Sequence, residues 1–422
     1  MKLILFLFTL ICIAYIVNGQ DDNVQCTVDN CKAPHCSCFS SSAPYGHKTD
    51  DIPQFIIMSF DEAVREESAD IYDRILNYTN PNGCPIEATF FVSHVDTNYK
   101  RVHELYRRGH EISTHSITKT VLGGQEHWKN LDVDGWRAEF GGMKKILSKY
   151  ADIPISAIVG ARAPELQTAG NVTFTALKQE GFLYDSSQPS RAYSAHPLFP
   201  YTLDFGFQAD CQIQPCLKPD QIYPGFWSAP MNDWVTKLPI GDNKTIDVPC
   251  AEVGSCILYD ENGTYIQNPT PEEFLAVFED NFNRFYTTNR APFPLFLRDA
   301  WLTYDEKRID ALIEFIDRVT KNKNVYFVSI SEVIDWMGRG ANNTLLKNFK
   351  QTKCEKNPPK DKCGVTSTVG KGNCEYKHIK ELKGIDKLVV ICNDVECPLN
   401  YPWIESKRNE TFDEDFGDEY ID

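Results

Sequence analysis

The sequence predicts an α/β fold: a closed or nearly closed barrel of about seven parallel strands, flanked by short Cys-rich extensions. Two observations carry this. Seven apolar runs of strand length alternate with helix-period segments between Pro53 and about Met337, the pattern of repeated βαβ units. The runs are apolar on consecutive positions, as in strands covered on both faces. An open doubly wound sheet is the alternative assembly of the same units.

The runs are FIIMSF (55–60), EATFFVSH (87–94), HEISTHS (110–116), AIVGARAP (157–164), FLYDSS (182–187), PLFLRDAW (294–301) and VYFVSI (325–330). Between them Trp136, Phe140, Met143, Leu147 and Tyr150 recur at three and four, which predicts an amphipathic helix. Thr270-Pro271-Glu272-Glu273 forms a capping box with Pro at the first helical position, and Phe274, Phe278, Phe282 and Phe285 supply the apolar stripe. The predicted organisation is a leader over 1–19, a Cys-rich segment and Ser-rich linker over 20–52, and the barrel over 53–340. A second Cys-rich segment over 341–408 and an acidic tail over 409–422, which reads as solvated and disordered, complete the chain.

The leader consists of Met1-Lys2, an apolar run too short to span a bilayer comfortably, and small residues Val17 and Gly19 at a cleavage position. It reads as a cleaved secretory signal, with an uncleaved anchor as the alternative. An extracellular destination agrees with the fifteen cysteines, of which removal of Cys12 leaves an even number. Zinc-type CxxC spacing is absent, so disulfides are expected. Cys211 with Cys216 and Cys250 with Cys256 close small local loops, which leaves Cys84 as the partner of a C-terminal cysteine. Sequons at Asn77, Asn171, Asn243, Asn262, Asn342 and Asn409 are candidate sugar-bearing sites.

Composition removes several functions. A formal net charge of −16 over 422 residues argues against wrapping nucleic acid, which needs clustered Lys and Arg. No Gly-rich phosphate loop and no G-x-S-x-G nucleophile elbow occurs. Beyond the leader, no apolar stretch is long enough to cross a membrane.

Strand ends are where a parallel barrel gathers its chemistry. Here they carry Ser59-Phe60-Asp61-Glu62, Thr114-His115-Ser116, Arg162-Ala163-Pro164-Glu165, Asp185 and Arg298-Asp299. Five polar sets on one rim predict a polar pocket. His110 reads as structural and His94 as packing or hydrogen bonding. The dispersed Trp128, Trp136, Trp227, Trp234, Trp336 and Trp403 read mostly as core or rim.

The stretches FIIMSFDEA, ATFFVSH, GHEISTHSIT, GARAPEL, YDSS and APFPLFLRDAWL, in this order, resemble the successive motifs of the polysaccharide deacetylases. That is the NodB-homology group, carbohydrate esterase family 4, and the likeness is nearest to secreted animal chitin deacetylases. The resemblance implies a distorted (β/α) barrel that removes acetyl groups from N-acetylglucosamine polymers with a divalent metal, usually zinc. It makes Asp61 the general base, Arg162 the residue that orients it, Asp185 the fourth-motif carboxylate and Trp301 a residue lining the substrate pocket.

Several family positions are substituted. The metal ligands match Glu62, where the family has Asp, and His115, while the second His position holds Lys119. An ammonium offers no lone pair at neutral pH and brings a positive charge to where the cation sits. The Tyr of the third motif is Glu165. The His that protonates the leaving amine falls on Phe296 or Arg298, and Arg does not hand over a proton. Metal activation of water and positioned acid–base groups each supply orders of magnitude in rate. The expectation is therefore a secreted protein that binds chitin or a related glycan without deacetylating it, with no cofactor, or zinc if Glu62 and His115 hold a weak site. An active deacetylase and a matrix protein with a vestigial pocket are the alternatives. Glu62 is expected to pair with Lys119, and Glu165 with Arg298, replacing a bound cation by internal ion pairs. The N-terminal cysteines lack the six-Cys pattern of a peritrophin module, so the barrel is the expected glycan-binding part.

Overall fold

The computed structural model describes residue 31, residues 36–119, 124–218 and 220–339. In the C-terminal part it describes 349, 354, 361, 363–364, 372–379, 384–393 and 395–401. The leader, Cys26, Trp403, two sequons (Asn342 and Asn409) and the acidic tail lie outside these residues.

All seven predicted runs form strands of one sheet: β1 (Gln54–Glu62), β2 (Thr89–Val92), β3 (Glu111–Thr114), β4 (Gly160–Ala161), β5 (Tyr184–Asp185), β10 (Phe293–Arg298) and β11 (Val325–Phe327). Two further strands join it, β6 (Tyr201–Leu203) and β7 (Tyr223–Ser228), and the spatial order is β10-β1-β2-β3-β4-β5-β7-β6, with β11 also on β1. Every pairing is parallel except β6 with β7. Among the described residues no ladder joins β7 to β10, so the barrel is nearly closed. Trp234 spans the seam, its Nε1 donating to the carbonyl of Pro294 at 2.6 Å. Trp234 opens a separate hairpin, β8 (Trp234–Pro239) and β9 (Thr245–Cys250), inserted between β7 and β10.

The helices are α1 (Ala69–Ile75), α2 (Tyr99–Arg107), α3 (Gln125–Asn130), α4 (Val133–Trp136), α5 (Gly142–Tyr150), α6 (Asn171–Gln179), α7 (Pro271–Thr288), α8 (Asp299–Tyr304), α9 (Glu306–Val319) and α10 (Ile330–Arg339). The predicted Trp136–Tyr150 stripe is buried along its length, but a π-helical turn at Arg137–Gly141 separates α4 from α5. The capping box forms at α7: the Glu273 amide donates to Thr270 Oγ1 at 3.2 Å, and the Thr270 amide to Glu273 Oε2 at 2.8 Å.

The described parts of both extensions pack on the barrel. The expected Ser-rich linker lies along the outer edge of β6, where the Thr202 amide donates to Ser37 O at 2.8 Å and the Phe199 amide to Ser40 O at 3.1 Å. This covers a strand edge that otherwise offers unpaired backbone groups. The C-terminal hairpin, β12 (Asn373–Ile379) and β13 (Ile385–Val390), packs on α2. Tyr401 lies 4.8 Å from the His94 ring, and the Lys100 ammonium donates to Asn393 Oδ1 at 2.6 Å. Phe349, Cys374, Val389 and Ile391 share the barrel's main hydrophobic cluster, so these described residues beyond 340 belong to that core. The disulfides Cys211–Cys216, Cys250–Cys256 and Cys84–Cys354 match the expected pairings, and Cys31–Cys38, Cys363–Cys392 and Cys374–Cys397 accompany them.

Candidate active-site cleft

The ends of β1, β3, β4, β5 and β10 bring the predicted residues to one rim. Strand alternation alone would send Asp61 and Glu62 to opposite faces. Glu62 instead has φ +96°, and this departure from extended backbone leaves both side chains serving one site. Ser116, Glu165 and Leu166 also take positive φ. Left-handed backbone at non-glycine residues is costly and persists where surrounding structure enforces it, often at functional sites.

The deep wall is built on Arg162, which is fully buried. Its Nη1 donates to Asp61 Oδ1 at 2.7 Å and to Ser59 Oγ at 2.8 Å, its Nε to Ser186 O at 2.8 Å and its Nη2 to Ser186 Oγ at 2.9 Å. The guanidinium is sandwiched between Phe91 and Phe296, 4.1 and 4.4 Å from the ring centres. Phe296 therefore packs beneath the site, and of the two positions matched to the family's proton donor, Arg298 is the one that lines the cleft. Burial pushes Asp61 up to about 6, against the opposing pull of Arg162. Asp185 is likewise pushed to about 6 by burial, although its oxygens accept from the Ser187 hydroxyl at 2.6 Å and the Ser187 amide at 3.0 Å.

The outer rim carries the substitutions. Lys119 Nζ lies 2.5 Å from Glu62 Oε1, as expected. The loop that delivers Lys119 is clamped by Glu139, a buried residue of the π-turn that accepts from the amides of Ile117 and Thr118 at 2.9 and 3.0 Å. His115 pairs through Nδ1 with the carbonyl of Arg162 at 2.8 Å. Burial, and then the Lys119 charge, hold its imidazole neutral well below the ordinary value.

The expected Glu165–Arg298 pair does not form. Arg298 Nε meets Glu252 Oε2 at 2.6 Å, and Glu165, exposed on its left-handed turn, acts on Arg298 only at longer range. Glu252 arrives on the short loop closed by Cys250–Cys256. A carboxylate between two cysteines six apart was the available signal, but nothing in the spacing ties that loop to the barrel rim. Trp301 does line the cleft, of about 290 Å³, with Glu252, Gly254, Ser255, Arg298 and Arg308. It is only 6% exposed: a Cβ on Gly254 would sit 3.3 Å from its ring, and Phe274 and Phe278 pack on it. It is a wall of the cleft with little open face for stacking. His110 and His94 are structural: His110 Nδ1 accepts from the Ala88 amide at 3.3 Å, and His94 Nδ1 pairs with Tyr99 Oη at 2.5 Å.

The residues at the metal positions do not fit a divalent cation. The Lys119 ammonium occupies the Glu62 oxygen that would ligate, and His115 is left as the one imidazole. The single cluster of three potential donors among the described residues lies elsewhere, at His103, Cys363 and Cys392. Its two sulfurs are joined in a disulfide, so neither is a thiolate ligand.

This site sits in a chain that is 34% identical over 413 residues to chitin deacetylase 1 of Bombyx mori, covering 92% of this chain and 71% of that protein. The chain belongs to the chitin deacetylase family. Chitin deacetylase 8 of the same organism is 33% identical over 385 residues, covering 90% of this chain and 92% of the relative. No family model matches the chain. Among solved structures, a polysaccharide deacetylase described as putative, from Mycobacterium smegmatis, aligns over 76% of this chain and 99% of its own at 18% identity and a TM-score of 0.42. A peptidoglycan deacetylase from Bacillus subtilis aligns over 71% and 100% at 13% identity and a TM-score of 0.35. Overlaps this slight say nothing of the site's chemistry. No described helix is long and apolar enough to cross a membrane.

Proposed function

We propose that this protein is a secreted, disulfide-bonded member of the chitin deacetylase family that holds chitin, or a related N-acetylglucosamine glycan, in an extracellular matrix without deacetylating it. Family membership supports the glycan class. One observation carries the loss of catalysis: the Lys119 ammonium on Glu62 at 2.5 Å, where the family places a metal between carboxylate and imidazole. Without that cation nothing lowers the pKa of a bound water toward 7. With Arg298 at the position of the proton donor, the leaving amine receives no proton. The chain is proposed to enter the secretory route by cleavage after residue 19, and the exposed Asn77, Asn243 and Asn262 to carry sugar. Asn171 is half-buried and its Oδ1 accepts from the Lys218 amide at 3.0 Å.

The intact Asp61–Arg162 pair favours a second reading, residual metal-dependent hydrolysis through Glu62 and His115. Acetate release from chitin oligosaccharides by the purified protein, with excess zinc or cobalt, separates the two. No turnover is expected, with measurable binding of the same oligosaccharides. Turnover above the buffer blank overturns the reading. The triple variant Glu62→Asp, Lys119→His, Arg298→His is expected to release acetate, which would show that the groove still seats the substrate.

A further inference from the structure

The charges lining the cleft do not balance. Its lining carboxylate, Glu252, is engaged by Arg298. Arg308, from α9, lines the same cleft and makes no ion pair among the described residues. Its Nη1 donates to the carbonyl of Trp301 at 3.3 Å, and its guanidinium stacks on Tyr304, Trp301 and Phe274 at 4.4, 5.3 and 5.8 Å from the ring centres. Asp305, the acidic neighbour on its own segment, is turned to the Lys307 amide at 3.0 Å. Burial lowers the Arg308 pKa from its ordinary value, yet a guanidinium stays charged throughout the working pH range. The cleft thus presents a donor-only cation with no direct ion-pair partner among the described residues, on which Asp305 acts only at longer range, beside Tyr304, a ring that is 73% exposed.

Such a group distinguishes the two forms of an amino sugar. An acetamido oxygen is a neutral acceptor and suits a guanidinium donor. A free amine, protonated, is a cation with donors only. The aromatic face that would otherwise attract it is already stacked with Arg308.

We propose that Arg308 makes the cleft selective for acetylation state, so that it accepts the N-acetylated glycan and rejects the deacetylated, protonated one. The proposal rests on the glycan-binding reading above. Two unit charges about 6 Å apart near a protein surface, screened at physiological ionic strength, repel enough to make the preference about tenfold.

The test is calorimetric titration of the full-length protein with the pentamer of N-acetylglucosamine and with that of glucosamine, at a pH where the amine is protonated. The natural protein is expected to prefer the acetylated pentamer about tenfold, Arg308→Met to lose the preference, and Arg308→Lys to keep it. Thermal melts alongside identify any variant that fails to fold, and the natural protein's own preference tests the selectivity without a variant. Equal affinity of the natural protein for both pentamers overturns the inference and leaves the glycan reading standing. A preference that survives in folded Arg308→Met overturns the role of Arg308. Tighter binding of an oligomer alternating N-acetylglucosamine with a uronate overturns the acetamide assignment in favour of a carboxylate. Binding of neither pentamer overturns the glycan reading itself.

Discussion

The two sides of the cleft keep their charges by different means. On the deep wall, Arg162 and Asp61 are out of water, and each nitrogen of the guanidinium fork has a partner among Asp61, Ser59 and Ser186. On the rim, Lys119 with Glu62 and Arg298 with Glu252 are single contacts whose side chains keep between 7 and 38% of their exposure. A fully buried charge stripped of its partner is costly, whereas a pair that keeps some contact with water costs less to break. The wall therefore has little room for a single change, while the rim can exchange one acid and one base for another pair.

Three measurements break or sharpen that contrast. The largest effect is expected from Arg162→Met, which strands Asp61 and leaves a gap between Phe91 and Phe296. Denaturant unfolding should show a loss of about 3–5 kcal/mol, and a loss below about 1 kcal/mol would erase the distinction between wall and rim.

The second is a pH series. Asp185 holds its proton up to about 6 in the folded protein, above its value of about 4 in an unfolded chain. Its protonated form thus stabilises the fold below about pH 4, and that contribution is lost as pH rises through about 6. The stability difference between the natural protein and Asp185→Asn should fall by up to about 2–3 kcal/mol over that interval and then level. The subtraction cancels His94 and His110, whose burial, with a smaller push from Arg108 on His110, holds their pKa near 3 and which act in the opposite sense over the same range. A flat difference removes the buried carboxylate from the account.

The smallest effects belong to the rim. A double-mutant cycle with Lys119→Met and Glu62→Gln should give a coupling of about 1 kcal/mol, and one with Arg298→Met and Glu252→Gln less than that. Couplings of about 3 kcal/mol would make the rim as rigid as the wall.

Most of this architecture was legible in the sequence, because both-face burial writes itself as continuous apolar runs, and all seven runs are strands. β6 and β7 escaped notice for local reasons: β6 is three residues long, and β7 carries Pro224 and Gly225, which read as a turn. The Lys119–Glu62 pair was legible because both partners fall in recognisable motifs at neighbouring strand ends. Glu252 and Arg308 were not. The first comes from an inserted loop and the second from the exposed start of a helix, and proximity made only by tertiary folding leaves no periodic trace. Trp301 lines the cleft, but its burial depends on Gly254, again from that loop.

The Cys84–Cys354 bridge spans 270 residues of chain and encloses every strand from β2 to β11 within one covalent ring. A single peptide-bond cut anywhere in that interval leaves the molecule in one piece. Two fragments separate only after reduction, so a protease that nicks an exposed loop of the barrel alters its shape without releasing any part of it.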